Sequence, residues 1–403
     1  MKFRKRKYFI EALWEGLLKI SGSITSIIIL LIVVFLFSQG AGLFKKPVVE
    51  EGFELVVHSQ NPISKLSSFE IKEIFDYEIE VWSALGITNE DDDILIFRLN
   101  DIERYAECEE DLEPQNIART LSRIVETNTG IIAFIPKQYI NEDFEGKVMD
   151  LGEIKPADFF GGKEWYPTAT PAAQFGILPI ILGTLWVSLG AILLALPFGL
   201  SVAIYLAELA NHRIYKMLKP TVELLAGIPS VVYGFFGLVV IVPMVQQVFN
   251  LPVGETGLAG SIILGIMALP TIITISEDAI RSVPRSMREA SLALGANHWQ
   301  TIYKVIIPYS ISGITAAIVL GIGRAVGETM AVLMVTGNSA IIPHTLLAPL
   351  RTIPATIAAE LGEAPKGGTH YQALFLLGCV LFIITLIINL SVEYITAKKK
   401  ISQ

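Results

Sequence analysis

The sequence predicts an all-α polytopic membrane protein of six transmembrane helices, with a small α/β domain inserted on the extracytoplasmic side. Three observations carry this. Hydrophobic residues make up 52% of the 403 residues and charged ones only 17%, with a mean hydropathy of +0.56. Apolar runs long enough to cross a hydrocarbon core of about 30 Å, which takes about 20 helical residues, fall at 20–38, 177–207, 221–249, 258–276, 306–336 and 371–395. Core helices of soluble proteins are shorter and amphipathic. Finally, the net charge of −8 is unevenly divided. Residues 42–175 hold 12 Lys+Arg against 27 Asp+Glu, and the rest of the chain holds 19 against 12. An acidic water-exposed block and a basic membrane-embedded one share the chain.

Residues 1–19 open with Lys2, Arg4, Lys5, Arg6 and Lys7 and continue with apolar and polar residues at helical spacing. They predict a short helix lying at the cytoplasmic interface. Ile20–Ser38 is uncharged and too long for a cleavable signal core, and Gln39-Gly40-Ala41 is a poor cleavage site, so an uncleaved first span is expected. Residues 42–170 then alternate strand-like runs, Phe53–His58, Ile94–Arg98 and Ile131–Ile135, with helix-like runs at Phe69–Phe75 and Asn116–Glu126. Residues 175–396 carry the remaining five spans. Pro179, Pro197, Pro229 and Pro270 interrupt them and predict kinks, which either line a path or are tolerated bends. Basic residues set the orientation: Arg213, Lys216 and Lys219, then Arg281, Arg285, Arg288 and Lys304, then Lys398–Lys400 crowd alternate short loops. Both termini are therefore expected in the cytoplasm and residues 42–175 outside it. Cys108 falls in the acidic block and Cys379 in the last apolar run, so no internal disulfide is expected.

The polar loop 277–305 is the most specific stretch. Glu289-Ala290-Ser291, three residues, Gly295, nine residues, then Val305-Ile306-Ile307-Pro308 stand between two spans on the expected cytoplasmic side. A short helix held there can carry motion from a soluble partner into the membrane. Leu292, Leu294 and Trp299 would supply apolar knobs, and Arg285, Arg288 and Glu289 would set register by charge. Gly295 suits a sharp turn between two helical pieces, and Pro308 suits the first turns of the next span. The alternative is an ordinary interfacial loop. This spacing resembles the E-A-A, three residues, G, nine residues, I-x-L-P signature of membrane subunits of ATP-driven (ABC-type) importers. The resemblance implies a MetI-like permease fold and an ABC ATPase dimer at the cytoplasmic face, with Arg288, Glu289, Ala290, Ser291, Gly295 and Pro308 as coupling residues. No G-x-x-x-x-G-K-[ST] occurs in the chain, so hydrolysis is expected of a partner and this subunit is not an enzyme.

The run Gly321-Ile322-Gly323-Arg324-Ala325-Val326-Gly327-Glu328-Thr329 lies in the middle of the fifth apolar stretch. A charge at the bilayer centre costs about 2.5–3.5 kcal/mol, so such residues usually mark a pathway. On a continuous helix Arg324 and Glu328 would share one face, with the glycines admitting a neighbouring helix. Arginine's planar fork suits a phosphate-like anion, and a nearby carboxylate suits one that carries a proton, as phosphate does and sulfate does not. The competing reading is that the two charges neutralise each other as a packing device. Gly323–Asn338 (G-R-A-V-G-E-T-M-A-V-L-M-V-T-G-N), with Phe175–Thr184, Glu223–Gly237, Thr356–Gly362 and His370–Leu376, resembles the "C" permease of the phosphate-specific transport system. That resemblance implies Arg324, Glu328 and Thr329 in the translocation path of inorganic phosphate. It also implies a sister permease subunit, an extracytoplasmic phosphate-binding protein and membrane lipid as partners, and no cofactor. Sulfate or molybdate as cargo, or an ion-coupled secondary carrier with the pair as a proton relay, are the alternatives.

The acidic block departs from that family. Asn61–Ile63 through Phe75 to Trp82–Gly86, and Thr127–Ile140, resemble one lobe of phosphate-binding proteins. The Ser-Gly-Thr loop expected after the arginine strand is replaced by Leu99-Asn100-Asp101-Ile102-Glu103. A degenerate lobe that binds no phosphate is expected, serving either to dock a partner or as a spacer. Scattered histidines give no metal-ligand spacing, and the acidic exterior argues against nucleic acid. Glu277-Asp278 are expected to cap or pair with Arg281. Glu360 and Glu363 fit either a substrate-facing or a merely solvated loop.

Overall fold

In the computed structural model, helix α1 runs unbroken from Lys2 to Ala41. The interfacial helix expected over 1–19 and the span expected over 20–38 are therefore one rod. No proline separates them, and the Thr25 and Ser26 hydroxyls bond back to the Ser21 and Gly22 carbonyls at 2.9 and 3.0 Å, keeping polar side chains compatible with the helix. Residues 1, 64, 88–91, 107–108 and 402–403 lie outside the described structure, as do the side chains of 2–13, 109 and 392–401. Cys108, the basic amino terminus and the Lys398–Lys400 side chains are among them. The chain divides into two units, Leu43–Leu178 and Met1–Gly42 with Pro179–Gln403.

The smaller unit is built on a sheet. Strand β1 (Phe53–Val57) precedes helix α2 (Ser68–Phe75), β2 (Leu95–Arg98), helix α3 (Ile117–Thr127), β3 (Ile131–Pro136) and β4 (Lys147–Val148). The sheet order is β2-β3-β1-β4, with β2 parallel and β1 antiparallel to β3. Alternation along the strands feeds two cores. Leu55, Val57, Ile132 and Phe134 pack on Ile71, Ile74, Phe75 and Trp82, while Val56, Phe97, Ile131, Ala133 and Ile135 pack on Leu121, Ile124 and Val125. Helix α4 (Pro156–Gly161) and the hairpin β5 (Trp165–Tyr166) and β6 (Gln174–Phe175) complete the unit.

In the larger unit, α5 (Leu178–Ile204) leads through a π-helical stretch, Tyr205–Leu209, to α6 (His212–Ala226). Helices α7 (Ser230–Phe236) and α8 (Val242–Phe249) are joined by a second π stretch, Gly237–Ile241. The third span thus begins at Ser230 rather than 221. Pro229 takes an extended ψ of 141° and caps α7, so the preceding apolar residues belong to the separate, amphipathic α6. Helix α9 (Gly257–Arg281) is followed by α10 (Arg285–Ala293), α11 (His298–Thr301), a third π stretch Ile302–Ile306, α12 (Ile307–Gly327), α13 (Met330–Val335), α14 (Ile353–Glu360) and α15 (Thr369–Ile401). Among the described residues, six helical segments are long and apolar enough to span a membrane.

The most buried of these segments is α9, which packs through small residues. A Cβ on Gly190 of α5 would lie 2.4 Å from Ser261 Oγ, and one on Gly313 of α12 would lie 2.3 Å from the Ala279 Cβ. Ser261 Oγ donates to Gly257 O at 2.8 Å and lies 3.2 Å from Val187 O, bonding across two spans. At the start of α5, Gly183 admits the Arg351 carbonyl and Thr184 Oγ1 accepts the Ile353 N–H at 2.9 Å, which seats the first turn of α14.

Gly183→Ala would place a methyl 2.1 Å from the Arg351 carbonyl oxygen, a backbone atom that cannot rotate away. It is expected to destabilise the detergent-solubilised protein by about 1–3 kcal/mol. Gly323→Ala, which meets nothing within 4 Å, is expected to be neutral or mildly stabilising. Thermal unfolding of the two variants side by side checks both.

Candidate functional site

The loop 277–305 folds as a helical hairpin. Helix α10 ends at Ala293 with Leu294 as its C-cap, and Gly295 takes φ +84°, the left-handed conformation that the sequence requires of it. Asn297 then caps α11 in a reciprocal box: its side chain accepts the Gln300 N–H at 2.8 Å while Gln300 Oε1 accepts the Asn297 N–H at 2.9 Å. Leu292, Leu294 and Trp299 are 48%, 89% and 61% exposed, and Glu289 and Ala290 lie on the same open surface. Ser291 Oγ sits 3.0 Å from Thr301 Oγ1 and ties the two arms together. Pro308 lies second in α12, immediately after the π stretch that makes the helix continuous from His298.

Arg288 departs from expectation. It turns inward, and its Nη2 donates to Glu208 Oε1 at 2.7 Å and to the Ile280 carbonyl at 3.0 Å. Its charge is used inside the subunit, because Glu208, only 7% exposed at its side chain, needs a counter-ion. A second charged cluster centres on Glu277, of which the sequence marks the Arg281 partner but not Lys219. Glu277, wholly buried near the end of α9, accepts Lys219 Nζ of α6 at 2.6 Å and pairs with Arg281 Nε at 2.8 Å. Arg281 also donates to the Leu206 carbonyl at 3.0 Å and stacks 4.1 Å from the Tyr215 ring centre. The expected pairing of Glu277 with Arg281 is present. Burial alone would lower the Lys219 pKa, but the Glu277 carboxylate outweighs it and holds the ammonium above its ordinary value.

The fifth span is broken where a continuous helix was expected. Helix α12 ends at Gly327, and Glu328 takes an extended ψ of 133° before α13 begins at Met330. Arg324 and Glu328 therefore do not share a helix face, and among the described residues neither makes an ion pair. Arg324 is half-buried. A Cβ on Gly321 would lie 3.0 Å from the Ile272 side chain, as expected of a small-residue contact, but Gly323 and Gly327 face open space. Thr329 and Gly327 border an open hollow of about 510 Å³ with Pro354, Ile357, Leu361 and Leu381.

At the far end of these spans from the hairpin, Arg351 Nη1 meets Glu360 Oε1 at 2.5 Å and His370 Nε2 meets Glu360 Oε2 at 2.9 Å. Glu360 is thus a half-buried bridge between loop and helix rather than a solvated charge. In the smaller unit, Asp101 Oδ2 accepts the Arg98 backbone N–H at 3.1 Å. The Arg98 guanidinium bonds the Phe75 carbonyl at 3.2 Å and lies over its ring. An internal carboxylate thus takes the Arg98 backbone N–H, and an internal carbonyl takes one of its guanidinium donors. Among the described residues no group of His, Cys, Asp or Glu could hold a metal ion.

Six membrane-length segments, an exposed apolar hairpin between two of them and a charged break in the fifth define a transport subunit moved from outside the bilayer. The chain belongs to the binding-protein-dependent transport system inner membrane components, matching that family over residues 195–401. It is 40% identical over 248 residues to the probable ABC transporter permease protein YqgH of Bacillus subtilis, covering 62% of this chain and 80% of that one. It is 38% identical over 255 residues to the phosphate transport system permease protein PstC of Mesorhizobium japonicum, covering 59% and 77%. With the PstC of Xylella fastidiosa it shares 36% over 252 residues, covering 58% and 76%. The inward-facing MetNI methionine ABC transporter is similar in structure at a TM-score of 0.43 and 21% identity, covering 54% of this chain and 93% of that one. Like its relatives the chain is a permease subunit of an ABC transporter, with ATP hydrolysis done by separate subunits.

Glu277→Gln removes the charge that Lys219 and Arg281 share. Breaking a buried pair in this way costs about 3–5 kcal/mol. The folded-state pKa of Lys219 is raised, so its contribution is complete below the ordinary lysine value and is lost as pH climbs through the raised one. The stability gap between wild type and Glu277→Gln is therefore expected to be constant near neutrality and to narrow in strongly alkaline solution. Chemical denaturation at stepped pH measures it; a gap that narrows instead on acidification from neutral pH to pH 6 would contradict the assignment.

Proposed function

We propose that this chain is the "C" permease subunit of an ATP-driven phosphate importer, with residues 42–175 outside the cytoplasm and both termini inside. A dimer of ATPase subunits seats on the α10–α11 hairpin, a sister permease completes the path, an external phosphate-binding protein delivers cargo, and membrane lipid covers the outward apolar faces. The observation that carries the cargo assignment is Arg324, a half-buried guanidinium in a membrane span with no ion-pair partner among the described residues. At 4 Å and an effective dielectric of 20, such a charge attracts an anion by about 4 kcal/mol. Its planar fork matches paired phosphate oxygens.

Glu328, released from the helix, can accept the hydrogen bond of a protonated oxyanion, and Thr329 adds a hydroxyl at the same break. The phosphate permeases among the relatives support phosphate over sulfate or molybdate. Glu289 and the exposed Leu292, Leu294 and Trp299 form the surface that the ATPase grips. The smaller unit takes no part in cargo binding, a reading supported by the internal bonding of Arg98 and Asp101.

In the purified complex reconstituted into liposomes, phosphate is expected to stimulate ATP hydrolysis, and Glu289→Lys to abolish the stimulation while the spans stay inserted. Arg98→Ala should leave it unchanged. Stimulation by sulfate alone would assign another oxyanion. Uptake that survives loss of the ATPase and collapses with the proton gradient would assign an ion-coupled carrier.

Glu328→Gln is expected to lower phosphate uptake about tenfold, the loss of one charge-assisted hydrogen bond, and to relax rejection of sulfate. Unchanged uptake and unchanged selectivity in that variant would remove Glu328 from the path.

A further inference from the structure

Helix α10 buries none of its side chains completely, so its hold on the spans rests on a few contacts. Met287 packs partly against the Ala203, Ile280 and Ile306 cluster. Arg288 reaches in two directions, to the Ile280 carbonyl of α9 and to the Glu208 carboxylate. The first bond stays within the segment that leads directly into α10. The second crosses to a span remote in sequence. Glu208 lies in the π stretch Tyr205–Leu209, where the Ala210 N–H bonds the Tyr205 carbonyl at 2.7 Å and the Leu206 carbonyl is taken by Arg281. Widened turns of this kind are rare and are found frequently at functional sites.

We propose that Glu208 is the positioning residue that ties the coupling helix to the second span, so that displacement of α10 by its ATPase partner pulls on the π-helical end of α5. The inference rests on the importer reading above. In that reading α10 is pushed from the cytoplasm. The two bonds from Arg288 make it move the second and fourth spans together. Without Glu208 the polar tie to the second span is lost, and only the partial packing of Met287 on the Ala203, Ile280 and Ile306 cluster remains there.

The test uses the complete complex in liposomes, with hydrolysis, uptake and ATPase co-purification measured together. Glu208→Gln is expected to leave ATPase co-purification and cargo-free hydrolysis at wild-type levels while lowering phosphate moved per ATP hydrolysed about tenfold. Arg288→Met should lose at least as much coupling, since it also gives up the Ile280 bond, and the double variant should be no worse than Arg288→Met, since the Glu208 link is removed only once. Arg288→Lys, which keeps the charge, should retain at least half the wild-type ratio. An unchanged ratio in Glu208→Gln would overturn the proposal. So would loss of ATPase co-purification, which would make the pair a support of the docking surface only, or additive losses in the double variant. If phosphate fails to stimulate the wild-type complex, the cargo reading falls. The same ratio taken with whichever oxyanion does stimulate it still decides Glu208.

Discussion

Apolar side chains gain nothing by leaving lipid for one another, so spans associate only where backbones come close enough for dispersion and hydrogen bonding. Helix α9 meets that constraint on several sides. Ser261 fills the space left by Gly190 and bonds across to α5, and Ala279 sits where Gly313 of α12 leaves room. Its inner end carries the buried Glu277, which draws Lys219 of α6 and the more exposed Arg281 into one cluster. The chain then passes almost directly into α10. The element that packs the bundle is thus continuous with the element presented to a partner, and any torque on the hairpin meets a rigid axle before it meets flexible loops.

Around that axle the helices are deliberately irregular. Each of the three π stretches closes with a five-residue bond, Ala210 to Tyr205, Val242 to Gly237 and Ile307 to Ile302. The last two stretches each stand just before a proline, Pro243 and Pro308. A proline cannot donate to the carbonyl four residues back, and that carbonyl, of Val239 or Lys304, falls inside the π stretch. Widening the turn before the proline keeps neighbouring donors bonded where lipid offers no substitute. Irregularity within a span is therefore compatible with a membrane when it is satisfied in this way.

The parts of this fold governed by local chemistry were legible in the sequence. The six spans follow from run length, the Gly295 turn from glycine's access to positive φ, and the insert's strands from alternation and β-branched content. What escaped was non-local or a matter of degree. The Glu208–Arg288 pair joins positions 80 residues apart, and nothing in either neighbourhood announces the other. Arg288 read as an outward charge because its motif neighbours are outward. The break at Glu328 was hidden because Arg324-Ala325-Val326 is helix-compatible and contains no proline; Gly327 was the lone signal. The start of the third span was misplaced because the amphipathic α6 supplies enough leucine and valine to look like membrane.

The break at Gly327 bears on why two opposite charges stand in one apolar run. Had they evolved as a packing device, a regular helix would have brought them together at no conformational cost, since residues four apart face each other. This same chain pairs charges closely elsewhere, at 2.6 Å for Lys219 with Glu277 and 2.7 Å for Arg288 with Glu208. At Arg324 it does the opposite: the helix terminates and the carboxylate is carried away on an extended residue. An uncompensated charge in a span is costly, and the missing partner must be supplied intermittently if the site is to be worth keeping. In the importer reading proposed above, a transported anion supplies that partner and then leaves, whereas a permanent counter-ion would hold the site closed.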